Sequence, residues 1–160
     1  MSDGLINIKL PKPHAAQQTV IDSKARFKVL MTGRRFGKSL VAKILAITDM
    51  LDGKSVAYVT PSFGLGKVFF AEVVQLLPPT VIKTDNKGDL YIELITGGSL
   101  RFFSGEATNN FRGHKFDKVI IDEAAFISDL ETAWNESIRP TLTDYKGDAL
   151  FISTPKGRNY

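Results

Sequence analysis

The residues best suited to chemistry in this sequence fall into groups far apart along the chain. The first is "VLMTGRRFGKS", residues 29–39. A phosphate-binding loop follows the pattern G-x-x-x-x-G-K-[ST]. Gly37, Lys38 and Ser39 fit it, but Thr32 stands where the first glycine belongs. Gly33 comes one place later, followed by Arg34, Arg35 and Phe36. In such a loop the backbone N–H groups point at the anion, and the following helix adds the positive end of its dipole. Lys38 would reach the β- and γ-phosphates, Ser39 would hold Mg²⁺, and Gly37 would let the backbone come close. A GKS tripeptide alone is weak, and a strand–turn–helix with a chance lysine is the plain alternative.

The second group is "KVIIDE", residues 118–123. Asp122 follows three aliphatics and suits a Mg²⁺ shell; Glu123, next to it, can polarise an attacking water. Adjacent acids at the C-terminal end of a buried strand lie where parallel sheets bind ligands. The Glu argues against a simple kinase or GTPase and for ATP hydrolysis coupled to work. The third group is "FISTPKG", residues 151–157, where Ser153 and Thr154 end a strand. That is a place for a γ-phosphate sensor, although Ser-Thr-Pro is also an ordinary strand exit.

These groups need elements to position them. "RFKVLMT" (26–32) reads as a strand that feeds the loop. From Lys38 the apolar residues Leu40, Val41, Ile44, Leu45, Ile47 and Leu51 have helical spacing, ended by Gly53. "SVAYVT" (55–60) is a strand of the kind buried on both faces. A helix is expected over 67–77, stopped by Pro78 and Pro79. "TDNKGD" (84–89) and "TGGS" (96–99) read as turns around "LYIELI" (90–95), with "LRFFSG" (100–105) completing a small antiparallel meander. Strands over 118–123 and 149–154 flank a helix over 129–142, frayed or kinked at Pro140. Strands separated by helices imply an α/β fold with a mostly parallel sheet.

The 160 residues, 43% hydrophobic and 24% charged, suit one globular domain with a real core. Without cysteine there is no disulfide scaffold and no thiolate metal site. No apolar run reaches membrane-spanning length, and "MSDGLINIKLPKPH" lacks a signal-peptide core. The net charge of +4 tilts weakly toward a polyanionic partner. The basic residues Lys24, Arg26, Lys28, Arg34, Arg35 and Lys38 cluster without an intervening acid. His14 and His114 lack metal-ligand company and read as solvated; Trp134 and most phenylalanines read as core.

Together, "HAAQQTVIDSKARFKVLMTGRRFGKS", "VTPSFG", "NNFRGHKFDKVIIDEAAFI" and "ALFISTPKGRNY" resemble the N-terminal ATPase region of the large terminase subunit of tailed double-stranded DNA phages. The segments come in family order from about residue 14 to the end. The resemblance implies a P-loop NTPase of the ASCE type, a three-layer fold with an antiparallel hairpin insertion. It divides the chain into a polar lead-in (1–13) and an ATPase domain (14–160) that reads as truncated at its C-terminus.

The same resemblance explains the altered loop, because the family carries an arginine just after the first motif position. It implies that Arg34 stabilises the γ-phosphate within the subunit, while Arg35 is a solvated or DNA-side charge. A basic surface formed by both arginines is the alternative. It assigns Gln17 to the adenine edge, with Gln18 one register away as the competitor. It makes Arg112 a finger for a neighbouring subunit's ATP; an ordinary loop cation is the equal alternative. Ser153 and Thr154 match the coupling motif, and "TPS" (60–62) matches a helicase-like motif.

The implied function is a Mg²⁺-dependent ATPase motor that drives double-stranded DNA into a procapsid. It would work as a homo-oligomeric ring with portal protein and small terminase subunit, in the cytoplasm of the infected host at the portal vertex, without a membrane. Terminases carry a downstream nuclease domain that this sequence does not represent, so no DNA cleavage is expected of it. Two alternatives remain: a superfamily 2 helicase-like translocase, and an inactive nucleotide-binding fragment.

Overall fold

The computed structural model describes residues 7–156. The first six residues of the expected lead-in and the final "GRNY" lie outside them. The element order is α1 (Ala15–Asp22), β1 (Phe27–Met31), α2 (Lys38–Leu51), β2 (Ser55–Thr60), α3 (Phe63–Leu76), β3 (Ile82–Asn86), β4 (Tyr91–Leu94), β5 (Ser99–Ser104), β6 (Lys118–Asp122), α4 (Leu130–Ala133) and β7 (Asp148–Ser153). Seven strands form one sheet in the order β1-β7-β6-β2-β5-β4-β3. Pairings from β1 through β5 are parallel, and β5-β4-β3 are antiparallel. The mostly parallel α/β sheet with an antiparallel extension is the architecture expected from the alternation of elements.

Each buried strand sends alternate side chains to opposite faces. Val56, Tyr58, Ile120, Leu150 and Ile152 pack with Val41, Leu45, Ile47 and Met50 of α2 and Phe69, Phe70 and Val73 of α3. Ala57, Val59, Val119, Ile121 and Ala149 pack on the other side with Phe111, Phe116, Leu130, Trp134, Ile138 and Leu142. The result is three layers, with full burial of each such aliphatic contributing about 2 kcal/mol. Lys118 is a buried charge at the start of β6. It sits buried between Asp148 (2.6 Å) and Asp49 (3.6 Å), so its charge is paired.

Several elements depart from the sequence reading. α1 was not anticipated, because its N-cap is His14, an unusual capping residue. α3 begins at Phe63, not at 67, and so includes Gly64 and Gly66. Gly66 is helical for a packing reason: a Cβ there would lie 2.1 Å from the Phe102 ring of β5. The "TDN" read as a turn is the end of β3, pairing Thr84 with Glu93 and Asn86 with Tyr91. As the outermost strand β3 tolerates polar residues on both faces. The turn follows it, where Asn86 Oδ1 accepts from Gly88 N and Asp89 N. The helix expected over 129–142 is one α-turn, then a π-helical stretch (Trp134–Ile138) and a 3-10 stretch (Arg139–Leu142) containing Pro140.

His114 is only partly solvated. Its ring lies among Phe103 and Phe116, and burial pushes its pKa down. His14 is exposed, as expected, and also caps α1. Trp134 and Phe69, Phe70, Phe103, Phe111 and Phe116 are core residues as expected.

Candidate functional site

The site forms at the C-terminal edge of the parallel strands. Register places Met31 beside Ser153, and Asp122 beside Ile152. After β1 the chain makes a single 3-10 turn, Arg34–Phe36, and then a left-handed residue, Gly37 (φ 80°). Only after that turn does α2 begin, at Lys38. Glycine meets the positive φ without strain. Lys38 is 8% exposed, and its Nζ donates to the carbonyls of Thr32 (3.0 Å) and Gly33 (2.9 Å). The ammonium therefore lies inside the curl of the loop, where an anion would be held.

Asp122 ends β6 with both carboxylate oxygens engaged. Oδ1 accepts from Glu123 N (2.8 Å), and Oδ2 accepts from the Tyr58 hydroxyl. Burial raises the Asp122 pKa, against the opposing effect of these two hydrogen bonds. Tyr58 is 2% exposed, and its ring stacks on Phe69 at 3.7 Å. Burial and the neighbouring Asp122 push its phenol well above the ordinary value, so it remains a donor. Glu123 follows in a left-handed conformation (φ 50°), which is costly for a non-glycine residue. Its Oε2 accepts from Thr154 Oγ1 at 3.2 Å.

A cavity of about 530 Å³ brings these groups together: Arg34, Gly37, Lys38, Ser39, Asp122, Glu123 and Thr154 line it. Pro61, Leu65 and Phe126 supply its apolar wall. The hydroxyl of Ser39 and the carboxylate of Asp122 on one cavity fit Mg²⁺, which takes few protein oxygens and keeps several waters. Among the described residues there is no group of three or more His, Cys, Asp or Glu placed to hold a metal by themselves.

Other expected site residues lie around this cavity. Ser153 is buried; its Oγ accepts from Ala125 N (3.1 Å) and donates to the Thr154 carbonyl (2.9 Å). Thr32 N donates to Ser153 O (3.3 Å), tying the loop to the end of β7. Thr60 Oγ1 donates to the Ser62 carbonyl in the turn after β2, and Thr60 O accepts from Gly105 N (2.7 Å), joining the ends of β2 and β5. Arg35 is exposed, and Phe36 packs edge-on against His14. Arg112 is exposed and does not line the cavity; it follows a 3-10 turn anchored by buried Phe111.

Gln17 does not line the cavity either. Its amide Nε2 donates to the carbonyls of Phe36 (2.9 Å) and Gly37 (3.0 Å), and its Oε1 accepts from His14 N (2.8 Å). Gln18 is exposed and donates to Asp22 Oδ1 (2.8 Å).

Two participants were missed in the sequence. Tyr58 read as one more apolar residue of a buried strand. The available signal was that a buried tyrosine needs a hydrogen-bond partner for its hydroxyl. His14 carried no signal beyond its place three residues before Gln17, the spacing of a capping box.

Residues 29–159 match the family model described as terminase large subunit, T4likevirus-type, N-terminal. The chain is 33% identical to the terminase large subunit of Escherichia phage T5, covering 92% of this chain and 35% of that protein. It is 29% identical to the terminase large subunit of Thermus phage G20c, covering 99% of this chain and 37% of that one. The chain thus spans about a third of the length of these relatives. The large terminase ATPase domain of Thermus phage P74-26 superposes with a TM-score of 0.82 at 29% identity, covering 92% of this chain and 67% of that one.

Proposed function

The chain belongs to the terminase large-subunit family, and on that premise we propose that residues 14–160 form an ATP-hydrolysing motor domain that drives double-stranded DNA into a procapsid. The carrying observation is the convergence of Lys38, Ser39, Asp122 and Glu123 on one cavity at the strand ends.

In this reading the loop N–H groups and Lys38 hold the β- and γ-phosphates, with Lys38 leaving its loop carbonyls for the anion. Thr32, Gly33, Arg35 and Phe36 shape the loop, and Arg34 neutralises charge developing on the γ-phosphoryl oxygens. Ser39 and Asp122 hold Mg²⁺, which screens the phosphate charge when bound. Glu123 orients and polarises the attacking water. Adenine meets the Oε1 of Gln17, the part of its amide with acceptor capacity to spare. Loss of the γ-phosphate would reach Thr154 through Glu123, and Ser153 through Thr154. Arg112, exposed and outside its own cavity, is available to a neighbouring subunit's nucleotide in a ring. DNA would be gripped through its phosphates, independently of sequence. Portal protein and small terminase subunit are the proposed partners, in the host cytoplasm at the portal vertex.

The test is Glu123→Gln. It should leave the ATP dissociation constant within about twofold and lower turnover by at least ~100-fold, the scale of a lost general base. Unchanged turnover would remove Glu123 from the chemistry.

A further inference from the structure

We propose that His14 and Gln17 form a clasp that aims the phosphate loop's own N–H groups, a positioning role separate from contact with the base. This inference rests on the reading of the loop as a phosphate site. Gln17 is 3% exposed, and both hydrogens of its amide are spent on consecutive loop carbonyls, Phe36 O and Gly37 O. Phe36 O takes a second hydrogen bond from the His14 ring at 3.0 Å. His14 Nδ1 accepts from Gln17 N (3.3 Å), so the ring proton resides on Nε2, which donates to that carbonyl. His14 N in turn donates to Gln17 Oε1, closing the capping box. The Gln17 amide is thereby held in one orientation from three sides.

The consequence follows from peptide planarity. In a trans peptide the C=O of one residue points opposite to the N–H of the next. Holding Phe36 O and Gly37 O toward α1 therefore turns the N–H groups of Gly37 and Lys38 the other way. Gly37 and Lys38 line the cavity and Gln17 does not. Contact is close: a Cβ on Gly37 would lie 2.5 Å from Gln17 Nε2. Gly37 O is also held by Leu40 N (3.1 Å) and Val41 N (3.4 Å) of α2, so the clasp matters most at Phe36 O: without it the Phe36–Gly37 peptide could rotate and present its carbonyl oxygen to the anion, which would repel it. A short helix outside the sheet thus sets the polarity of the Phe36–Gly37 peptide in the cradle.

A base-free ligand separates the two roles of Gln17. Binding of Mg-ATP and of Mg-tripolyphosphate would be measured for the 160-residue chain, Gln17→Glu, His14→Asn and Lys38→Ala, with thermal unfolding of each. Gln17→Glu sets a carboxylate against two carbonyls. His14→Asn keeps a side chain able to cap α1 but removes the ring's bond to Phe36 O. The clasp predicts that Gln17→Glu weakens ATP and tripolyphosphate by the same factor, about tenfold, and His14→Asn by about threefold each. A merely structural loss would lower the binding-competent fraction and leave the dissociation constant unchanged. If Gln17→Glu does not fold, His14→Asn decides. Tripolyphosphate affinity unchanged in the folded variants, with only ATP weakened, would overturn the clasp and leave the phosphate site standing. A parent chain that binds neither ligand better than Lys38→Ala would instead overturn the phosphate-site reading, and the clasp with it.

Discussion

Thr154 Oγ1 donates to Glu123 Oε2 at 3.2 Å, joining the residue after β7 to the residue after β6. The bond holds the Glu123 side chain over a cavity whose other walls include Lys38 and Ser39. One oxygen of the carboxylate proposed to activate water is thus oriented by a hydroxyl from the segment that would transmit phosphate loss.

Thr154→Val removes this donor while keeping the branched shape. Turnover should fall by about tenfold, the scale of one hydrogen bond to a charged group, with little change in ATP affinity. Steady-state ATPase assays beside nucleotide titrations check this. An equal rise in KM with unchanged kcat would place Thr154 in binding instead.

Tyr58→Phe preserves the stack on Phe69 and deletes the hydroxyl bonded to Asp122 Oδ2. The carboxylate then keeps only its bond from Glu123 N and is free to rotate. The Mg²⁺-dependent part of ATP affinity should weaken about three- to tenfold, and the Mg²⁺-free affinity should stay as it was. Titrations with and without the cation separate the two.

Two glycines of α3 should respond oppositely to alanine. At Gly66 the new methyl would meet the Phe102 ring, whereas at Gly64 nothing lies within 4 Å. Gly66→Ala should cost ~1–3 kcal/mol and lower Tm by roughly 3–9 °C. Gly64→Ala, in the first turn of α3, should be neutral or raise stability by up to ~1 kcal/mol, since alanine has the higher helix propensity. Calorimetry on the pair checks both outcomes.

His114 predicts a pH dependence with a definite sign. Burial lowers its folded-state pKa below the ordinary value, with Arg101 adding to the effect. The unfolded chain therefore binds more protons between the two pKa values, and stability rises with pH across that window. The contribution is complete above the unfolded value and is lost as pH falls through the folded one. The Tm difference between pH 7.5 and 5.5 should shrink in His114→Gln relative to the parent. An unchanged difference would show that the ring is not protonated on unfolding in this range.

Much of the site was legible because its chemistry is local. Lys38 and Ser39 follow a strand and open a helix; Asp122 and Glu123 close a run of aliphatics. Such patterns need no knowledge of distant neighbours. What stayed hidden depends on contacts across the fold. Gly64 and Gly66 look like helix breakers until Phe102 is set against Gly66. "TDN" looks like a turn until β3 proves to be the outermost strand. Tyr58 looks like a hydrophobe until β6 brings Asp122 beside it. Gln17 was legible as a residue of interest, but its partners Phe36 and Gly37 lie about twenty residues away, beyond what helical spacing or alternation reports.

At the other margin of the sheet, β1 carries Phe27, Val29 and Met31 on its exposed face, with Val29 74% exposed. Trp134 and Phe151 continue this apolar strip into a groove of about 390 Å³. An apolar strand at a sheet edge is a template for pairing between copies, so the strip is expected to promote association of the isolated chain at high concentration. Scattering that grows with concentration and is suppressed by Val29→Lys would trace precipitation to this strand. A single outward side chain, remote from Lys38 and Glu123 in role, would then be the handle for keeping the protein in solution.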